Sequence, residues 1–185
     1  YVPYQLLKTK YHKGEFIDPQ DNDAEKKAIL SARISHETEI TKILTDIKSI
    51  LSLGEPVFLT GDFNEPSHLD WTKKTAKAGI HSIKIDFPTS KKVLSAGMLD
   101  AYRKCYPDPL KHPGFTWPAG KYPDSPNSSI MDPEDRIDFI YFTGNEVEVK
   151  KVELLGEVGN TSNISFQDYP SDHRAILATF EITIN

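Results

Sequence analysis

The stretch Val57-Phe58-Leu59-Thr60-Gly61-Asp62-Phe63-Asn64 decides how this chain is read. Residues 57–60 form a short apolar run, preceded by Pro56 and closed by Gly61, and that length and punctuation predict a buried strand. A carboxylate and an amide, Asp62 and Asn64, follow at once. Side chains at a strand end stand on rigid backbone beside an open cleft, where sheet-based enzymes collect their functional groups. Taken alone, Gly-Asp-x-Asn is more often a turn, because Asp and Asn bond their own backbone.

Upstream of this stretch the pattern changes to a period of 3.6. Apolar residues recur at Ile40, Ile43, Leu44, Ile47, Ile50 and Leu51, which places one stripe on a long helix beginning near Asp23, its expected N-cap. Gly54 and Pro56 end it. Residues 1–23, with turn signals at Lys13-Gly14 and Asp18-Pro19, predict an extended segment and loop. Downstream, residues 70–79 predict a helix and the alternation Ile83, Ile85, Phe87 a strand or its approach. Residues 98–102 predict a short core element, and the proline-rich stretch 106–134 a loop around a short strand at Phe115-Thr116-Trp117. Two strands flank the turn Gly144-Asn145, over residues 137–142 and 147–155, and a last one spans 174–184. One long helix with several strands packed to it predicts a layered α/β (α+β) domain.

Two further strands carry polar residues at one end. Asp135-Arg136-Ile137-Asp138 opens the run Phe139-Ile140-Tyr141-Phe142, and Ser171-Asp172-His173 opens Ala175-Ile176-Leu177-Ala178. Each has a plain alternative: Asp138 could pair with Arg136 in a surface ion pair, and Asp172-His173 could be an ordinary polar strand start. The conjunction of all three, in this order and each against an apolar strand, is far more specific.

The set suits phosphate-ester hydrolysis. Carboxylates are hard oxygen ligands for Mg²⁺, which takes one or two of them and keeps waters and substrate oxygens for the rest. Such an ion polarises the phosphoryl group and steadies the leaving oxygen. An amide such as Asn64 donates to a phosphate oxygen without adding charge. A histidine with a carboxylate on one ring nitrogen titrates near neutrality with its tautomer fixed. A Gly-rich phosphate loop, a nucleophile elbow and paired histidines at helical spacing are all lacking.

Composition narrows the field. With 185 residues, 38 % hydrophobic and 26 % charged, the chain can bury a core. No apolar run approaches the roughly 20 residues that span a bilayer. A net charge of −5 favours a small or modest phosphorylated substrate over long nucleic acid, which is gripped by a basic face. Lys73, Lys74, Lys77, Lys91 and Lys92 read as solvated surface. The single cysteine, Cys105, leaves no intramolecular disulfide or cysteine metal cluster. No signal peptide is visible, and the sequence names no compartment.

These motifs resemble the endonuclease/exonuclease/phosphatase (deoxyribonuclease-like) superfamily, which includes nucleases, neutral sphingomyelinases and inositol polyphosphate phosphatases. The resemblance rests on residues 57–64, on Arg136-Ile137-Asp138-Phe139-Ile140 and on Ser171-Asp172-His173. It is supported by Gly97-Met98-Leu99-Asp100-Ala101-Tyr102 and Gly114-Phe115-Thr116-Trp117, and it covers nearly the whole chain from residue 23. It implies part of a four-layer αββα sandwich, with one mostly antiparallel sheet and a long helix packed on it. Asp62 would orient or activate the attacking water, Asn64 bond the scissile phosphate, and His173 touch the phosphate or act as acid or base, oriented by Asp138. Asp172 would be a metal ligand, for Mg²⁺ (or Mn²⁺ or Ca²⁺), and Trp117 would line the cleft as a substrate-binding residue, although a core aromatic is the commoner role for a residue of that type. Arg33 on the helix reads as structural.

The resemblance also implies what is lacking. Family members place an asparagine, a metal-binding glutamate and a further histidine on strands before the long helix. Glu15 and His12 lack the flanking apolar strands for those roles, and Tyr1-Val2-Pro3-Tyr4-Gln5 is similar to the loop that follows the missing histidine. Residues 1–185 are therefore expected to be the C-terminal portion of one domain, inactive by itself, and either self-associating or paired with an N-terminal half. The substrate would be a phosphorylated small molecule, lipid headgroup or nucleic acid, as a phosphodiester or phosphomonoester. Glu134-Asp135-Arg136 departs from the Cys-Asp-Arg expected of an inositol polyphosphate phosphatase. The alternative is a non-catalytic member of the same fold, used for binding or regulation.

Overall fold

A computed structural model describes residues 22–119, 134–144, 146–159 and 161–183. Residues 1–21, with Tyr1-Val2-Pro3-Tyr4-Gln5, His12 and Glu15, lie outside the described residues, as does most of the proline-rich loop. Helix α1 covers Asn22–Ser52. Asp23, the expected cap, sits inside its first turn with Glu25, where negative charge meets the positive end of the helix dipole. Gly54, at φ 73°, takes the left-handed conformation that stops the helix.

Two stripes anchor this helix. Ile40 is buried and Leu44, Ile47 and Leu51 are half-buried against the first sheet, while Ile43 and Ile50 face outward. The second stripe is Ala24, Ala28 and Ala32, all buried against Trp71, Ile83, Ile85 and Phe87. Alanine's small side chain lets that segment lie close to the helix. The alternation at residues 83–87 therefore reflects packing on α1, and no strand forms there. Residues 70–79 likewise shorten to α2, Lys73–Lys77. Thr72 and Thr75 cap it reciprocally, and Asp70 and Trp71 before it are drawn into buried contacts. Helix α3 covers Pro88–Ser95, and α4 covers Ala101–Cys105, following the two-residue strand β2, Leu99–Asp100.

Among the described residues the strands divide between two three-stranded sheets. In the first, β3 (Asp138–Thr143) lies between β1 (Val57–Asp62) and β2, antiparallel to both. In the second, β4 (Val147–Glu157) lies between β5 (Ile164–Phe166), parallel, and β6 (Ala175–Ile182), antiparallel. Strands β3 and β4 thus leave the turn at Gly144 into different sheets, and the residues around Trp117 make only an isolated bridge to Asp135. A register shift between Val149 and Lys151 switches the parity of β4. Val147 and Val149 before it and Val152 and Leu154 after it consequently all face the core.

The first sheet is covered on one face by α1 and α3, through Phe139 and Tyr141. Its other face packs on the second sheet, where Phe180 stands 4.9 Å from Phe58 and 5.0 Å from Phe142, ring centre to ring centre. Among the described residues the layers run helix, sheet, sheet. Strand β1, expected to be buried, is half-exposed, with one neighbouring strand among the described residues; Phe58 is 42 % exposed. No helix among the described residues is long and apolar enough to cross a membrane.

Candidate active site

Pairing between β1 and β3 places Asp62 directly opposite Asp138. Cross-strand partners project to the same face, so both carboxylates point toward the second sheet. There the turn before β6 delivers His173, whose backbone N–H is held by Ser171 Oγ at 3.0 Å. Ligand-type atoms of Asp62, Asp138 and His173 all lie within 4.8 Å of one another. The three residues line a cleft of about 440 Å³ between the sheets, with Tyr169, Ser171 and Ile176.

Asn64 belongs to the same corner. Its backbone N–H reaches Asp62 Oδ1 at 2.8 Å and its amide Nδ2 donates to Asp62 Oδ2 at 3.0 Å. Its φ of 48° is a left-handed conformation that asparagine tolerates. The Gly-Asp-x-Asn stretch therefore ends β1 in a turn that Asp62 and Asn64 close between them, with Asp62 lining the cleft.

His173 Nδ1 lies 3.0 Å from Asp138 Oδ2. Burial pulls the imidazole pKa down, but the hydrogen bond and charge of Asp138, with Asp62 and Asp172, raise it above its ordinary value. Burial also raises the Asp138 carboxyl, against the lowering effect of Thr116 and His173. Both directions mean that the pair holds its proton more firmly than the separate groups would.

Two residue sets to which the sequence reading gave no role at the site lie behind this pair. Thr116 is fully buried, and its Oγ1 accepts from the backbone N–H of Ile137 at 3.0 Å and of Asp138 at 3.2 Å. Arg136 is 1 % exposed and makes no surface pair with Asp138. It donates to both oxygens of Asp70 and of Asp100, at 2.7 to 3.1 Å. Arg103 donates to Asp70 at 2.6 Å and to the carbonyls of Tyr106, His112 and Pro113. Two arginines and two aspartates thereby neutralise one another beneath the strand that carries Asp138. A signal was present in the sequence: Asp70 and Asp100 both flank apolar core residues.

The remaining expected residues, Asp172 and Trp117, are not among those that line the cleft. Asp172 is exposed, outside the compact group of three, and accepts from Trp117 Nε1 at 3.3 Å. The Trp117 ring lies 6.4 Å from that of His173, centre to centre. Arg33 is exposed on α1.

Comparison with known proteins identifies the family. A family model described as the Endonuclease/Exonuclease/phosphatase family matches residues 37–173. The chain is 38 % identical over 130 residues to the uncharacterized protein F14F9.5 of Caenorhabditis elegans. That match takes in 68 % of this chain and 40 % of the relative, so it spans less than half of that protein. The matched span contains all three strand-end motifs, and the chain belongs to the endonuclease/exonuclease/phosphatase family.

Proposed function

We propose that the protein hydrolyses a phosphate ester with the help of a divalent cation. The observation that carries this reading is the convergence of Asp62, Asp138 and His173 within 4.8 Å at the mouth of one cleft. In the proposed reaction Asp62 orients the attacking water and accepts its proton. Asn64 spends one amide N–H on Asp62 and offers the second to a phosphoryl oxygen. His173, tied at Nδ1 to Asp138, presents Nε2 to the phosphate or the departing oxygen.

The donor set fits a hard cation. Carboxylate oxygens predominate, and the one imidazole is already engaged by Asp138. Asp172 is the residue assigned to hold Mg²⁺, Mn²⁺ or Ca²⁺. When bound, such an ion supplies charge stabilisation to the phosphoryl group and the leaving oxygen. The net charge of −5 favours a phosphorylated small molecule or lipid headgroup over duplex nucleic acid, with diester and monoester both in range.

The test is a panel of nuclease, sphingomyelinase-type and phosphatase substrates, run on the full-length protein with Mg²⁺, Mn²⁺ and Ca²⁺ in turn. Cleavage of at least one substrate class that needs added cation, and that Asp62→Ala abolishes, is the expected result. Absence of cleavage across the panel, or full activity of Asp62→Ala, overturns the reading.

A further inference from the structure

Arg174 directly follows the histidine of the site, and its side chain is 4 % exposed. Its Nε–H donates to both oxygens of Glu157, at 3.0 and 3.1 Å, and Nη2 donates to Glu157 Oε1 at 2.5 Å. Nη1 lies 2.9 Å from Glu134 Oε1 and donates to the Phe115 carbonyl at 3.0 Å. The backbone N–H of Arg174 donates to Thr116 O at 2.6 Å. One residue thereby ties the turn that carries His173 to the end of β4, to the approach to β3 and to the segment that holds Thr116. Gly156 on β4 makes room for it. A Cβ there would stand 2.8 Å from Arg174 Cγ and 3.3 Å from Cδ, so the arginine stem occupies the space a side chain would need.

We propose that Arg174 is a positioning residue, whose guanidinium, gripped by Glu157, Glu134 and the Phe115 carbonyl, fixes the turn that holds His173 against Asp138. This rests on the reading above in which His173 presents Nε2 to the departing oxygen. The turn lies outside regular structure, since β6 begins only at Ala175, and a turn is ordinarily more mobile than a strand. A reacting group displaced by about 1 Å can lose ~10²-fold in rate. A planar fork held from several directions resists both translation and rotation, whereas a lysine ammonium would be a single point on a flexible stem.

The experiment uses the full-length protein and two esters of the same phosphate class, one with a nitrophenyl and one with an alkyl leaving group. In either case the water oxygen bonds phosphorus as the ester P–O bond breaks, and Asp62 takes the proton of the water. Nitrophenolate departs unaided, but an alkoxide needs a proton from Nε2. The quantity read is the ratio of kcat/KM for the two esters. That ratio is indifferent to the fraction of molecules folded, so a purely structural loss leaves it unmoved. His173→Ala is expected to shift it toward the nitrophenyl ester by roughly 10²-fold or more. Arg174→Lys keeps the charge and withdraws the fork. It is expected to shift the ratio in the same direction by roughly tenfold, with the double variant matching His173→Ala.

The outcomes separate the ideas involved. No cation-dependent cleavage of either ester overturns the phosphoesterase reading and this inference with it. An unmoved ratio in His173→Ala removes the role of His173 at the departing oxygen, and the inference falls while cation-dependent hydrolysis stands. A shift in His173→Ala with the parental ratio in Arg174→Lys overturns the inference alone, as does a double variant whose shift is the product of the two single shifts. If Arg174→Lys fails to fold, Glu157→Gln is read by the same ratio, since it keeps the volume and removes the charge that the fork grips. A shift toward the nitrophenyl ester then supports the inference, and the parental ratio overturns it.

Discussion

The imidazole of His173 and the carboxylate of Asp138, 35 residues apart in sequence, meet at 3.0 Å, Nδ1 to Oδ2. One belongs to the turn that opens β6 and the other to the first residue of β3, so the contact joins the two sheets at their common end. A carboxylate on Nδ1 keeps the proton there and leaves Nε2 for a substrate.

Asp138→Asn tests what that pairing does. The amide fills the same volume but cannot stabilise an imidazolium, so turnover of the best substrate is expected to fall roughly 10²- to 10⁴-fold. The pH dependence follows with its sign. Because the folded-state pKa of His173 is raised above 6.5, the stability from the pair is complete below that value and is lost as pH rises through the folded-state pKa. NMR titration should place the His173 midpoint lower in Asp138→Asn than in the parent. An unshifted midpoint would show that Asp138 does not set the charge of this histidine.

Glu65 gives a second pH effect of opposite chemistry. It follows Asn64, is 1 % exposed, and accepts from the Thr89 backbone N–H and hydroxyl, both at 2.8 Å. Helix α3 has no side-chain cap of its own at Phe87, so this carboxyl serves its N-terminus from a distance. Burial raises the Glu65 pKa from 4.5 to about 7, against the two hydrogen bonds from Thr89. The folded state therefore binds the proton more tightly than the unfolded chain. Stability is greatest below pH 4.5 on this account and declines through pH 7, by ~3 kcal/mol in total. Urea unfolding between pH 5 and pH 8 checks it: Glu65→Gln should flatten the decline and be the more stable protein at the upper end. A parallel decline in both proteins assigns the effect elsewhere.

Arg136→Met removes the charge shared by Asp70 and Asp100. Both carboxylates are buried, at 4 % exposure each, and the Arg103 side chain bonds the first directly while Asp100 accepts from the Arg103 backbone N–H. A buried pair broken from one side typically costs about 3–5 kcal/mol, since a desolvated charge is left behind. Burial lowers the guanidinium pKa, but Asp100 and Asp70 outweigh it and hold Arg136 charged at every accessible pH. Chemical unfolding of Arg136→Met, alone and with Asp100→Asn, is the measurement. Partial recovery in the double variant is expected, and a cost below about 1 kcal/mol would mean the network contributes little.

Thr116→Val isolates the smallest of these devices. The replacement keeps the shape and withdraws the oxygen that accepts from Ile137 and Asp138 N–H. Leaving buried donors unsatisfied costs about 1–3 kcal/mol. The midpoint of urea unfolding should fall at constant slope, with turnover reduced because the backbone under Asp138 loses its tether. Full turnover in a destabilised variant would confine Thr116 to stability.

Much of the site was legible locally. Asp62 and Asn64, Asp138, and Asp172 and His173 each stand where an apolar strand gives way to polar residues, a pattern visible within eight residues of sequence. The Ile40, Leu44, Ile47 and Leu51 stripe was equally plain, since a period of 3.6 repeats inside one window. Ala24, Ala28 and Ala32 were not, because alanine is apolar on every scale yet too small to mark a face. Residues 83–87 misled for the converse reason. Alternation records only which side chains are buried, and a helix can bury them as well as a neighbouring strand.

Sequence alone thus determined the long helix, strands β1, β3, β4 and β6 and the polar groups at their ends, because periodicity and turn chemistry act over a few residues, whereas the three-residue β5 was too short to show. Tertiary structure decided that Asp62 faces Asp138, that β3 and β4 part into separate sheets, and that Arg136 turns inward to Asp70 and Asp100. Those outcomes depend on register and desolvation between segments 30 or more residues apart. The free energy of such contacts exists only once both partners have left water together.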